Sequence, residues 1–196
     1  MPVIRTLALI AVGGSAVAAD LSDLRRVADL RLIGCSSPEF EVGTGGDDTD
    51  RGIRVGAGFF YSFVEEFEGD VTGPLVGLEV AQVAADGDDF DITVIGGCLH
   101  LGLAYQTDFR PVHTELAVLG GIGSAELEAS GGGGADESSS YEWGARVGAF
   151  WTFAVGAQIG IDARIMRGTF HLKVGDEKVN VINPGFTGGV NLGWRF

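Results

Sequence analysis

Alternation with a period of two, held for ten residue steps at a time, constrains this chain more than any other feature. Tyr141, Trp143, Ala145, Val147, Ala149, Trp151 and Phe153 share one parity, and Glu142, Gly144, Arg146, Gly148, Phe150 and Thr152 share the other. Ile53 to Phe63, Val155 to Ile165 and Phe186 to Phe196 repeat the pattern. Successive side chains of a strand point to opposite faces, so each stretch reads as a strand with one apolar face and one small or polar face.

Strand length separates the possible architectures. From Trp143 to Phe153 the chain takes ten steps, which at roughly 3.3 Å per residue and a tilt near 40° covers about 25 Å. That matches the apolar band of a membrane-spanning barrel and exceeds the usual soluble strand of about 5 to 6 residues. Aromatic residues gather near both ends of these strands, as a bilayer's two interfaces favour: Tyr141 and Trp143 at one level, and Phe63, Trp151, Phe153, Trp194 and Phe196 at the other. Four further segments, near 30–42, 73–85, 91–106 and 112–128, bring the count to eight. The expected fold is therefore all-β, an eight-stranded antiparallel up-and-down transmembrane β-barrel over residues 30–196. A soluble secreted β protein remains the competing reading, because alternation alone does not distinguish the two.

The polar faces support a barrel. The chain carries 33 glycines, many at polar-face positions, where they would weaken an exposed soluble sheet but fit a narrow lumen. Arg54, Glu79, Glu142, Arg146, Asp162, Arg164 and Arg195 fall on the same faces, and they are expected to form an ion-pair network inside the barrel.

The first nineteen residues read as a secretory signal peptide, with Arg5, an apolar stretch from Thr6 to Gly14 and small residues Ala16 to Ala19 at a cleavage site. Residues 20–29 read as a lead-in, in which the spacing of Leu21, Leu24, Val27 and Leu30 allows a short amphipathic helix. The net charge of −14, without any basic stripe, argues against nucleic acid as a partner.

The terminal run Gly188-Gly189-Val190-Asn191-Leu192-Gly193-Trp194-Arg195-Phe196 ends in an aromatic with a second one two residues earlier. Phe109-Arg110-Pro111 leads into the Gly-rich Val118 to Gly123. With these features the chain resembles the small outer-membrane β-barrels of the opacity-protein and surface-antigen type, with an OmpA-like transmembrane barrel. The resemblance implies a bacterial outer-membrane location and contact with outer-membrane lipids. It also implies recognition of Trp194 and Phe196 by the outer-membrane assembly machinery. Asn191 stands where the family pattern usually has Gly. The family's functions vary too widely for the resemblance to imply one.

Other constellations point to no chemistry. His113-Thr114-Glu115 places Thr114 on the opposite face from its neighbours, so no nucleophile stands beside the imidazole, and His113 reads as an interfacial residue. His100 reads as a lumen residue and His171 as a loop residue. The acidic runs Asp86 to Asp91 and Asp47 to Asp50 depart from known calcium-loop spacing and read as solvated loops. Cys35 and Cys98 fall on strands that are not neighbours, so free thiols are expected. No catalytic residue, metal or cofactor is expected. The functions that fit are a monomeric structural, surface-display or interaction role, a narrow pore or gated channel for small solutes, and, for a soluble chain, binding in a secreted barrel.

Overall fold

The computed structural model describes residues 25–37, 39–42, 47–48, 52–67, 70–87, 90–106, 112–129, 133–174 and 177–196. The signal peptide and the start of the lead-in lie outside these residues, as do Phe109 to Pro111, Asp50, Asp88 and Asp89.

Among the described residues ten strands follow one another: β1 (Arg25–Ser36), β2 (Glu41–Val42), β3 (Asp47–Asp48), β4 (Ile53–Phe67), β5 (Asp70–Asp86), β6 (Phe90–Gln106), β7 (Val112–Ala129), β8 (Gly133–Thr152), β9 (Ala157–Val174) and β10 (Glu177–Arg195). The eight long ones pair antiparallel in chain order, and β10 returns to β1. The result is a closed, all-β, eight-stranded up-and-down barrel, as the alternation predicts. Closure pairs the first long strand with the last, which is how a wall of strands avoids two open sheet edges.

The seam between β1 and β10 runs from Asp29 opposite Arg195 to Cys35 opposite Gly189. Beyond it β2 takes over, with Glu41 and Val42 facing Ile182 and Val181, and β3 pairs with β2. The amide of Phe196 donates to the carbonyl of Ala28, 2.9 Å away, so the last residue is held against the first strand. At the turn between β8 and β9, Gly156 has φ 91°, a conformation that side chains resist, and its carbonyl accepts from the amide of Arg195 at 2.8 Å.

Several boundaries differ from the sequence reading. Strand β1 begins at Arg25, inside the expected lead-in, because Asp29 and Arg31 belong to the inner face of the seam. The stretch between the expected strands ending at Phe63 and starting near 73 is mostly ladder, closing at Phe67 opposite Asp70. Strand β8 begins at Gly133, β9 runs to Val174 and β10 starts at Glu177, so His171 lies in β9 rather than in a loop. The length of these strands has a packing cause. Phe40, which follows β1, turns into the barrel mouth and packs with Val83, Ala85, Ile92, Ala125, Phe170 and Val181, giving the upper strands a core of their own. Its ring lies 5.8 Å from that of Phe170.

The wall is polarised in the reverse sense of a soluble protein. Leu32, Val80, Val118, Trp143, Ile161 and Phe186 are all more than half exposed on the outside. Inside, Phe60 and Phe150 lie against the wall in sockets made by glycines. Phe60 faces Gly77 across β4 and β5, and Phe150 faces Gly160 across β8 and β9. A Cβ at either glycine would collide with the ring opposite, and one at Gly58 or Gly148 would come within 2.6 Å of the same rings. Gly77→Val and Gly160→Val are therefore expected to lower stability by about 1–3 kcal/mol, the usual cost of overpacking. In chemical unfolding, the loss should shrink when Phe60→Leu or Phe150→Leu is combined with the matching glycine change. Full additivity would contradict the socket.

Candidate functional site

The lumen holds the chain's concentration of chemically capable side chains. Inward parity on β1, β4, β5, β7, β8, β9 and β10 delivers five arginines, Arg31, Arg54, Arg146, Arg164 and Arg195, and five carboxylates, Asp29, Glu79, Glu115, Glu142 and Asp162. Among the described residues, five positive charges against five negative leave the lumen formally neutral. Buried charges are tolerable only when paired, so this balance is what permits so many within one small interior.

Towards the mouth, Arg54 donates from Nε to Glu79 at 3.0 Å and from both terminal nitrogens to Glu142 at 2.8 and 2.9 Å. Arg164 donates to both oxygens of Glu79 at 3.0 Å and to Asp162 at 3.0 and 3.2 Å. Glu79 thus sits between two guanidiniums. His100 Nε2 lies 3.1 Å from its Oε2 without the alignment of a hydrogen bond, and the imidazole packs edge-on against Phe60 at 5.2 Å.

Towards the end that carries the β8–β9 turn, Arg31 is fully buried and saturated. It donates to Gln158 Oε1 at 2.9 Å, to Asp29 at 2.5 Å and to both oxygens of Glu115 at 2.8 and 2.5 Å. Its guanidinium lies 4.5 Å from the ring centre of Phe60 and 3.9 Å from that of Phe150, so the two socketed rings clamp it from either side. Arg195, directly opposite Asp29 in the seam, donates to it at 2.8 and 3.0 Å. Arg195 Nη2 also lies 2.8 Å from His113 Nε2, which therefore acts as the acceptor. Arg146 joins the two halves, 2.6 Å from Glu115 and 3.7 Å from Asp162.

The structure brings six of the seven sequence-assigned lumen residues into direct contact with another of the seven: Arg54 with Glu79 and Glu142, Arg164 with Glu79 and Asp162, and Arg146 with Asp162. Arg195 instead joins Asp29 and His113. Sequence reasoning missed Asp29, Arg31, Glu115 and Gln158. It also misassigned His113, which is not interfacial but 3% exposed inside the barrel, stacked on Phe150. The parity of β7 carried the missing signal, since His113 and Glu115 oppose Val112, Leu116 and Val118. Thr114 is exposed on the outer face, where its hydroxyl donates to the carbonyl of Tyr105 at 3.4 Å.

Among the described residues, Asp29, His113 and Glu115 form one grouping close enough to ligate a metal, with ligand atoms within 4.8 Å of one another. Arg31, Arg146 and Arg195 already neutralise its carboxylates, so a metal cation would enter against three positive charges. The donor set does not fit a metal. Cys35 and Cys98 are buried free thiols.

The aromatic residues stand on the outside as their parity requires. Tyr141, Trp143, Trp151, Phe153, Trp194 and Phe196 are exposed, and Phe63 is half-buried with its ring edge-on to Tyr61 at 4.7 Å. Tyr141 and Trp143 lie on the mouth side of β8; the others cluster around the β8–β9 turn and the chain end.

The network predicts a specific asymmetry. Glu79→Gln strands Arg54 and Arg164 with too little negative charge, and should cost roughly 3–5 kcal/mol in unfolding experiments. Replacing Glu79 and Arg164 together by leucine should cost less than the sum of the two single replacements. Additive losses would contradict a charge-balanced lumen.

No family model matches the chain, and no curated protein matches it. Among solved structures it is similar to the attachment invasion locus protein Ail of Yersinia pestis, at 16% identity and TM-score 0.47, covering 87% of this chain and 98% of that one. It is likewise similar to Neisserial surface protein A, at 14% identity and TM-score 0.48, covering 86% and 97%. A third similar structure is the outer membrane protein OprG of Pseudomonas aeruginosa, at 15% identity and TM-score 0.49, covering 87% and 95%.

Proposed function

We infer that this chain is an outer-membrane anchor: a closed, plugged barrel that holds itself in the lipid bilayer and displays its connecting loops, without catalysing a reaction. The observation that carries this reading is the inverted polarity of the wall. Leucine, isoleucine, valine and aromatic side chains cover the outside, while ten paired charges fill the inside. A monomeric soluble protein rarely exposes a contiguous apolar patch beyond a few hundred square ångströms. In a bilayer the same surface is satisfied, and a closed barrel is one of the two structures that leave no backbone group unpaired there.

The lumen supports an anchor over a pore. Eight strands leave space that side chains fill, and here Arg31, Arg146, Phe60 and Phe150 occupy its middle while Phe40 fills its mouth. His113 and Glu115 are engaged with arginines and face away from Thr114, which supports a structural role for them. The outward-facing Trp194 and the terminal Phe196, at the end of the last strand, support the reading of that strand as an outer-membrane assembly signal.

The refolded protein should require detergent or lipid to stay in solution and should migrate differently on gels before and after heating. In planar bilayers it should give no stable unit currents. A folded, detergent-free monomer would contradict the membrane reading, and reproducible unit currents would replace the anchor with a pore.

A further inference from the structure

Resting on the membrane reading above, we propose that a break in the β1–β10 seam opens sideways onto a small chamber under Phe40. The site takes the uncharged hydroxyl head of a single-chain amphiphile from the surrounding leaflet.

The register of the seam carries it. Among the described residues, β1 and β10 pair as far as Cys35 opposite Gly189, and pairing resumes only at Glu41 opposite Ile182. Five residues of sequence separate Cys35 from Glu41 while six separate Gly189 from Ile182, so the two ladders are out of step by one. Residues 183–188 of β10 therefore pair with β9 but have no ladder partner on the seam side among the described residues. Past β1 the chain holds to its other neighbour, with the amide of Ser37 donating to the carbonyl of Gly52 at 2.7 Å. Pro184, which has no amide hydrogen to leave unpaired, shares a ladder row with Arg167 and Trp143. The break thus begins at the aromatic level and runs into the apolar wall as far as Gly188, beside Ala163. An open strand edge at that depth persists only where it is buried in protein or lines a hydrated cavity.

Such a cavity lies behind the break. It measures about 40 Å³, and Phe40 and Phe170 line it together with Ser140, Thr187 and the paired Arg54 and Glu142. That volume holds about three waters, or a head group of about three or four heavy atoms. Thr187 is 2% exposed, and its hydroxyl oxygen has no hydrogen-bond partner. A buried hydroxyl left unmatched is costly, and a hydroxyl brought by a ligand matches it. Phe40 closes the approach along the barrel axis. On the outer wall, by contrast, Gly34 and Gly188 flank the last seam pair and leave open space where side chains would stand. The exposed Phe186 and Val190 give an alkyl chain apolar surface to lie along there. Arg54 gives Glu142 two hydrogen bonds, so the chamber floor is neutral and a charged head would be buried unpaired.

Dodecanol and dodecane, which differ by a single hydroxyl, test the site. The full chain is refolded into phosphatidylcholine vesicles containing one or the other, and its unfolding constant is read from tryptophan fluorescence. Dodecanol should lower that constant about fivefold, the weight of one hydrogen bond, and dodecane should not. Thr187→Val should remove the gain and Thr187→Ser should keep it. The valine variant should fold without additive, since it deletes a hydroxyl that nothing in the protein matches. An equal response to both additives, or a gain that survives Thr187→Val, would overturn the proposal. The route is read with Thr187→Cys in a Cys35→Ala background. Hexadecyl methanethiosulfonate dissolved in the bilayer should modify that thiol faster than the charged sulfonatoethyl methanethiosulfonate in water, and the buried Cys98 should react with neither. The reverse order would place the entrance at the mouth and overturn the side opening. Failure to insert into phosphatidylcholine at all would overturn the membrane reading, and this site with it.

Discussion

The structure depends on charge neutrality inside a narrow tube. Asp29, Arg31, Glu79, Glu115, Arg146, Asp162 and Arg164 are each 5% exposed or less, in surroundings where an unpaired charge would cost several kcal/mol. Because Glu79, Glu115, Asp29 and Asp162 each contact two arginines, the pairs form one connected set rather than isolated bridges. Such a set ties strands that are far apart in sequence. Arg31 and Glu115 join β1 to β7, Arg54 and Glu142 join β4 to β8, and Arg164 and Glu79 join β9 to β5. Ladder bonds hold neighbours together around the circumference; the ions hold the wall together across its diameter.

The glycines make this arrangement possible. Gly77 and Gly160 leave room for Phe60 and Phe150 to lie flat, and the flattened rings clamp Arg31 between them. The outside of the wall is set by the same alternation, since every inward charge forces its two sequence neighbours outward. Apolar exterior and ionic interior are thus two consequences of one periodicity, and a membrane accommodates both.

Much of this was legible in the residues. The four clearest alternating stretches have the facing that parity predicted: Ile53, Trp143, Ile159 and Leu192 are exposed, while Arg54, Arg146, Gln158 and Asn191 are buried. The barrel's closure and its chain-order pairing follow from the number and spacing of such stretches. The site was only partly legible. The seven sequence-assigned lumen residues comprise four arginines and three carboxylates, an excess of one positive charge that a closed lumen would not tolerate. Adding Arg31, Asp29 and Glu115 closes the balance at five against five among the described residues. Asp29 was hidden because the start of β1 resembled a lead-in, Arg31 because it lies just past that boundary, and Glu115 because His113 beside it was read as interfacial. The mouth was the least legible part, since Phe40 reaches its partners only through long-range packing with Phe170 and Val181, which no local pattern encodes.

Depth-dependent quenching of the tryptophans tests the central claim most directly. Trp143, Trp151 and Trp194 all stand on the outer wall, so bromine atoms carried on lipid acyl chains should quench their fluorescence strongly in the refolded protein, with aqueous iodide having little effect. Quenching by iodide without quenching by brominated lipid would show that water, and not lipid, covers the apolar face.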